Sequence, residues 1–314
     1  MRTLQQPLFT PETEWVPPDR LPDLSSHSEI AIDLETRDPN LMTMGSGSVR
    51  RDGEVVGIAV AVEGWSGYFP IAHEGGGNMD RGLVLDWFEE LLQTTSTKIF
   101  HNAMYDVSWI RSLGFQINGG IIDTMIAASL IDENRFSYTL DSIGKDYIGM
   151  RKNENLLKEA AKDFGVNPKA EMWRLPAPFV GEYAEKDAEM TLKLWHALQH
   201  EISKQDLWDV FNLETNLFPC LVDMKFKGVR VDAQKAMSVK AELQETEKNL
   251  MRDINKLAGF DVEIWAAASI AKAFDKEKLP YDRTEKGAPS FTKNFLATHP
   301  AELPKLINEA REIN

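Results

Sequence analysis

Four carboxylates and one tyrosine, held in three short stretches, are the residues of this chain best suited to do chemistry together. They are Asp33 and Glu35 in Asp33-Leu34-Glu35, Asp106 in Asn102-x-x-x-Asp106, and the pair in Tyr183-x-x-x-Asp187. Singly, each has a commoner explanation: a strand end, an N-cap, a solvated helix face. The Asp-x-Glu frame recurs at Asp187/Glu189, Asp261/Glu263 and Asp275/Glu277, and Asn-x-x-x-Asp recurs at Asn249/Asp253. The tyrosine pattern is rarer, because of six tyrosines only Tyr183 has an aspartate four residues on. If the pieces converge, the carboxylates repel one another and at least one takes up a proton unless cations intervene. Oxygen ligands with few histidines favour Mg²⁺ or Mn²⁺ over zinc. Two such ions can activate water and stabilise the leaving oxygen in an in-line phosphodiester displacement. A nearby tyrosine hydroxyl can orient that water.

The elements expected to position these residues follow from pattern. Glu29–Glu35 reads as a buried strand with an acidic end. Alternate strand residues share a face, so Asp33 and Glu35 point into one site. Val55–Val62 and Gly67–Ile71 read as paired strands, and the Arg81–Leu92 stretch as an amphipathic helix. Lys98–Phe100 is a short strand before a helix from about Asn102, where Asn102 can cap. Further helical patterns run through Thr124–Asp132, Leu140–Ile148 and Asn155–Phe164. The strongest helix spans Phe179–Ser203, and its four-residue spacing puts Tyr183 and Asp187 on one face. Strands followed by mixed strands and helices predict an α/β sheet flanked by helices. Beyond it, Leu207–Phe226, Ala233–Leu257 and 301 to the end are helical, with a polar loop between Thr284 and Lys293. In that loop, Lys286 and Lys293 read equally well as solvated or as phosphate contacts.

Composition sets limits. The 314 residues carry a net charge of −14, and no stretch approaches the ~18 apolar residues of a membrane span. Residues 1–203 hold 18 Lys+Arg against 31 Asp+Glu, whereas 204–314 hold 17 against 18. The half with the three motifs is thus the acidic one, which suits divalent-cation binding better than a grip on duplex backbone by charge alone. The single cysteine, Cys220, excludes an internal disulfide framework, fits a reducing compartment and reads as a core thiol. His73 beside Glu74, in a glycine-rich loop, reads as solvated. The N-terminal stretch lacks an apolar segment of the secretory kind.

As a set, the stretches resemble the DEDD 3′→5′ exonucleases of the tyrosine subtype, most closely the proofreading domain of family A (DNA polymerase I-like) polymerases of bacteriophage type. IAIDLETRDPNL resembles the family's first exonuclease motif, IFHNAMYDVSWI the second and VGEYAEKDAEMTLKLW the third. GGIIDTMIAASLIDENRFSYTLDSIGKDYIG is similar to the stretch between the second and third motifs. FNLETNLFPCLVDMKFKGVRVD, then a long helix and TEKGAPS, resembles part of the thumb. Leu34, where the family commonly has Thr, is a departure. The family's apolar wedge is not matched at Pro39, with Leu41 or Met42 as its stand-in.

The resemblance implies a ribonuclease H-like mixed sheet flanked by helices, followed by a smaller, mainly helical thumb-like segment. The implied organisation is an extended arm over 1–27, the exonuclease over 28–204 and a partial thumb over 205–314. It implies a metal-dependent 3′→5′ exonuclease acting on single-stranded DNA in proofreading during replication, with two Mg²⁺ or Mn²⁺. Asp33, Glu35 and Asp187 would hold the first ion, Asp33 shared with the second, and Asp106 would serve the second. Tyr183 would position the nucleophile, and Leu34, Thr36, Asn102 and Tyr105 would line the path of the terminal nucleotide. The implied partners are a single-stranded DNA 3′ end, primer-template DNA and a separately encoded palm and fingers fragment, with no membrane. The expected location is the host-cell cytoplasm. No palm aspartates or fingers helix follow, so no synthesis is expected from this chain alone. Two other readings use the same residues: an RNA-trimming nuclease resembling ribonuclease D, and a docking or DNA-binding module of a split polymerase.

Overall fold

A computed structural model describes residues 11–313. The described residues fall into two compact units that divide after Gly228. The first is built on a five-stranded sheet of β1 (Glu29–Arg37), β2 (Glu54–Val62), β3 (Trp65–Pro70), β4 (Thr97–Phe100) and β5 (Ile121–Asp123). The order is β3-β2-β1-β4-β5; β1, β2 and β3 pair antiparallel, while β4 runs parallel to β1 and β5 to β4. The sheet is therefore mixed and flanked by helices, as expected. β5, three residues long, carries too short a pattern to be read from sequence.

Period-two alternation along β1 decides what each face of the sheet does. Ile30, Ile32 and Leu34 point into one core, with Val60, Phe69, Phe88 and Phe100. Ala31 points into the other, with Ala59, Ala61 and a row of small residues from the last long helix of the sheet, Ala184 and Ala188. Asp33 and Glu35 continue that second row. Alanines on both sides let helix and sheet approach closely, which brings the helix's own polar residues down to the strand end.

The helices of this unit are α1 (Leu41–Met44), α2 (Gly47–Arg50), α3 (Arg81–Gln93), α4 (Ala103–Ser112), α5 (Thr124–Ile131), α6 (Leu140–Ile148), α7 (Asn155–Phe164), α8 (Gly181–Lys204) and α9 (Trp208–Lys227). The sheet ends and α8 lie within a residue or two of their expected bounds. The stretch 38–52 after β1 holds the four-residue α1 and α2, tied by Gly47 N–H to the Asp38 carboxylate at 2.9 Å. Compactness carries the first unit past the expected border at 204. Phe211 stacks on Trp195 in one core, and Phe218 and Val222 are buried in the other, so α9 packs with the sheet.

Two expectations fail here. Cys220 is exposed rather than a core thiol, because α9 turns Phe211, Phe218 and Val222 inward and leaves Cys220 on the opposite side. His73 is buried at 3% exposure rather than solvated. Its Nε2 meets the Tyr68 hydroxyl at 2.7 Å and its Nδ1 the Leu175 carbonyl at 2.9 Å. Tyr68 fits because Gly57 has no side chain; a Cβ there would lie 2.0 Å from the Tyr68 hydroxyl.

The N-terminal segment from 11 to 28 has no regular element and lies over the domain; the first ten residues of the expected arm are outside the described part. Trp15 covers Gly181 at the start of α8, where any Cβ would collide with the indole. Its Nε1 donates to Glu185 at 2.9 Å, and the same carboxylate oxygen accepts from the Tyr68 backbone N–H at 3.1 Å.

The second unit is mainly helical, with α10 (Ala233–Ala258), α11 (Ala267–Lys276), α12 (Lys293–Thr298) and α13 (Glu302–Ile313) around Ile254, Phe274, Leu296 and Ile307. A small hairpin, β6 (Asp282–Arg283) with β7 (Pro289–Ser290), spans the start of the expected polar loop, and Lys293 pairs with Glu312 at 3.1 Å. Among the described residues, no helix is long and apolar enough to cross a membrane.

Candidate active site

Asp33, Glu35, Asp106, Tyr183 and Asp187 line one cleft of about 550 Å³, with Leu34, Asn102 and Tyr105. They arrive on three supports. β1 delivers Asp33 and Glu35, and its register against β2 shifts between Glu35 and Thr36, so the strand bulges as it leaves the site. α4 delivers Asp106 one turn from its start. α8 delivers Tyr183 and Asp187 from one face.

Leu34 and Thr36 are placed differently from their neighbours. The Leu34 side chain turns into the opposite core and is only 5% exposed, while its backbone N–H donates to Asp106 Oδ1 at 3.0 Å. That bond ties the first motif to the second. Thr36 does not line the cleft; its hydroxyl lies 2.5 Å from the Tyr105 hydroxyl and holds that ring. Leu41 and Met42 are both exposed.

Asn102 does not cap α4, contrary to expectation. It adopts a left-handed conformation with φ 69° and makes no side-chain cap. Asp123, at the end of β5, does that work from outside. Its carboxylate accepts from the backbone N–H groups of Asn102 at 2.9 Å, Ala103 at 2.8 Å and Met125 at 2.9 Å. One buried aspartate thereby holds the start of α4 and of α5 together. An aspartate directly before the Thr124–Asp132 pattern is a readable N-cap for α5; its reach to Asn102 is not readable.

Lys152, which no sequence motif marks, sits inside the cleft. Its Nζ forms an ion pair with Asp187 Oδ2 and donates to the Tyr183 hydroxyl at 3.2 Å. Its backbone N–H donates to Asp141 at 3.0 Å, fixing the link between α6 and α7. His101 also lines the cleft, between Thr124 and the Tyr138 carbonyl; burial, then Lys152, depresses it to about 4, so it is neutral.

Burial dominates the electrostatics. It lifts Asp33, with the Asp187 charge adding to it, to about 7. Glu35 and Asp106 are raised well above the usual carboxylate range, first by burial and then by Asp33. Burial also raises Asp187, opposed by Lys152. Tyr183 is held far above its ordinary value by burial and by Asp187, so its phenol keeps its proton. Such a site is short of positive charge.

The donor set fits hard divalent cations. It is all oxygen, and Asp187 Oδ1 is buried without a hydrogen-bond partner. As the side chains stand, no group of three or more His, Cys, Asp or Glu among the described residues is disposed to hold a metal ion. Asp106 is turned to Leu34 N–H and Asp187 to Lys152, which supplies the positive charge in this arrangement.

The model of the 3′-5′ exonuclease domain of family A DNA polymerases matches residues 18–203, more than half of the chain. The chain belongs to that family. It is thus a nuclease domain, a hydrolase acting on DNA. It is similar to a DNA-directed DNA polymerase of Pseudomonas phage M6, 35% identical over all of this chain and 49% of the relative. A DNA polymerase DpoZ of Salmonella phage PMBT28 is 31% identical over 89% of this chain and 45% of its own length. DNA polymerase I of Pseudomonas aeruginosa is 29% identical, over 83% and 30%. The chain therefore spans less than half the length of these three polymerases. Among solved structures, the POL domain of Pol1 from M. smegmatis, in complex with DNA primer-template and dNTP, shares the fold. It aligns over 92% of this chain and 45% of its own, with a TM-score of 0.63 and 15% identity.

Proposed function

We propose that this exonuclease domain removes nucleotides one at a time from the 3′ end of single-stranded DNA, as the proofreading part of a family A polymerase, at Asp33, Glu35, Asp106, Tyr183 and Asp187. The observation that carries the reading is one cleft where four carboxylates from three elements meet with their ionisation suppressed, beside a tyrosine that keeps its proton. Asp33, Glu35 and Asp187 are the ligands assigned to a first divalent cation, and Asp33 and Asp106 to a second. When bound, Mg²⁺ or Mn²⁺ supplies water activation and stabilises the leaving oxygen.

The chain's own residues do the rest. Attack of water on the terminal phosphorus breaks the bond to the 3′ oxygen, leaving a nucleoside 5′-monophosphate and a strand ending in a 3′ hydroxyl. Tyr183, protonated throughout, acts as a hydrogen-bonding group that orients the water and not as a base. Asn102 and Tyr105 form the wall against which the terminal nucleotide rests, and Thr36 steadies Tyr105. Residues 205–314 are read as thumb-like on the resemblance of that stretch.

The test is degradation of a 5′-labelled DNA single strand with Mg²⁺ or Mn²⁺, beside a matched ribose strand. Shortening from the 3′ end, lost in excess chelator and in Asp33→Ala, is expected. Hydrolysis that persists in chelator would sink the mechanism, and a preference for the ribose strand would favour an RNA-trimming role.

A further inference from the structure

A second cavity, of about 660 Å³, opens from the cleft and shares with it Thr139, Leu140, Lys152 and Tyr183. Its remaining charged lining comes from α6, from the links on either side of α7 and from α7 itself. Arg151, Lys152, Lys158 and Lys169 face it, against only Asp141 and Glu154. Glu154 pairs with Lys158 at 2.6 Å and Lys152 with Asp187, whereas Asp141 accepts from the Lys152 backbone N–H and keeps its charge. Arg151 and Lys169 are exposed and provide the surplus positive charge. This lies in the half of the chain where acids exceed bases by 13, so four of its 18 basic residues gather at one opening beside the carboxylates.

We propose that this trough carries the sugar–phosphate backbone of the strand just upstream of the terminal nucleotide. The inference rests on the exonuclease reading above. A cleft of about 550 Å³ is of the size that holds a single small ligand, here one nucleotide. The next phosphates must therefore lie in whatever space continues from it. A concave cationic wall on an acidic protein focuses its field on a polyanion and keeps the strand engaged between cycles. An exit path for the dianionic product would be poorly served by the same charges, since they would retain it.

The test uses the full chain with Arg151→Ala/Lys169→Ala, both exposed positions, and the charge-reversed Arg151→Glu/Lys169→Glu, with melting temperature as the folding control. Two substrates separate the sites: an oligothymidylate, which reaches the trough, and the p-nitrophenyl ester of thymidine 5′-monophosphate, which reaches only the terminal position. KM for the oligonucleotide should rise roughly tenfold, and more on charge reversal. The slope of log affinity against log salt should fall by roughly 0.7 for each phosphate that the variant no longer neutralises. The ester's kcat/KM should stay unchanged. An unchanged oligonucleotide KM and salt slope, or equal losses on both substrates, overturns the proposal. So does weaker inhibition by thymidine monophosphate with an unchanged oligonucleotide KM, which would make the trough a product exit. If the parent chain hydrolyses neither substrate, the exonuclease reading fails, while oligonucleotide binding in chelator still reports on the trough.

Discussion

Lys152 Nζ pairs with Asp187 and donates to the Tyr183 hydroxyl at 3.2 Å, so one ammonium ties together both residues of the third motif. Asp187 is 3% exposed and depends on that charge. Lys152→Met should cost about 2–3 kcal/mol of stability in chelator, because it leaves a buried carboxylate without its partner. Mn²⁺ should narrow the difference. Urea unfolding with and without Mn²⁺ measures it, and a variant as stable as the parent in chelator would show that the pair contributes nothing.

Asp123 makes three backbone hydrogen bonds that fix where α4 and α5 begin. Asp123→Ala should lower stability by about 1–3 kcal/mol by orphaning those donors. It should also lower kcat, since Asp106 sits one turn into α4. Asp123→Asn should recover part of both. Unfolding and rate measurements on the pair of variants decide whether position or charge matters.

The positive φ of Asn102 gives a backbone test. Asn102→Gly should keep the stability of the parent, whereas Asn102→Ala should lose about 1 kcal/mol for the left-handed conformation. If the Asn102 side chain also touches the terminal nucleotide, both variants raise KM alike. Thermal melts and steady-state kinetics read the two effects separately.

Tyr183→Phe removes the hydroxyl and keeps the ring. A lower kcat, with KM little changed and a smaller loss than in Asp33→Ala, is the expected pattern. Because the phenol keeps its proton throughout the accessible range, the pH–rate profile should not change shape. A limb present in the parent's profile and lost in the variant's would show that Tyr183 titrates during turnover.

Asp33 binds its proton more tightly in the folded chain, up to about 7. Between its free value and that point the folded state holds more proton than the unfolded one, so stability falls as pH rises through the window. In chelator, the melting temperature of Asp33→Asn relative to the parent should therefore rise by about 2–5 °C from pH 5 to pH 8. Calorimetry at the two pH values checks the sign; a difference that falls between them contradicts it.

What the sequence discloses, and what it withholds, divides by the range of the interaction involved. Asp33 and Glu35 on a strand, and Tyr183 and Asp187 on a helix, are set by period and so are readable. Their convergence follows from chain order and flanking resemblance. Lys152 gives no signal, because its role depends on a link between two helices crossing to α8, 35 residues on. Asn102 departs from expectation for a related reason. A capping residue is expected to serve its own helix, and here Asp123 on β5 serves instead. Cys220 shows the limit of apolar context: the run around it is amphipathic, and it sits on the outer side.

The Trp15 indole over Gly181 has a practical consequence for anyone moving this nuclease elsewhere. The segment shared with the family begins at residue 18 and stops at 203. Excision at those borders would discard the ring that covers the start of α8, and the Trp15–Glu185 bond with it. It would also strip α9 from both cores. A transplant that is to keep Tyr183 and Asp187 in register needs donor borders wider than homology suggests, taking in Trp15 at one end and the whole of α9 at the other.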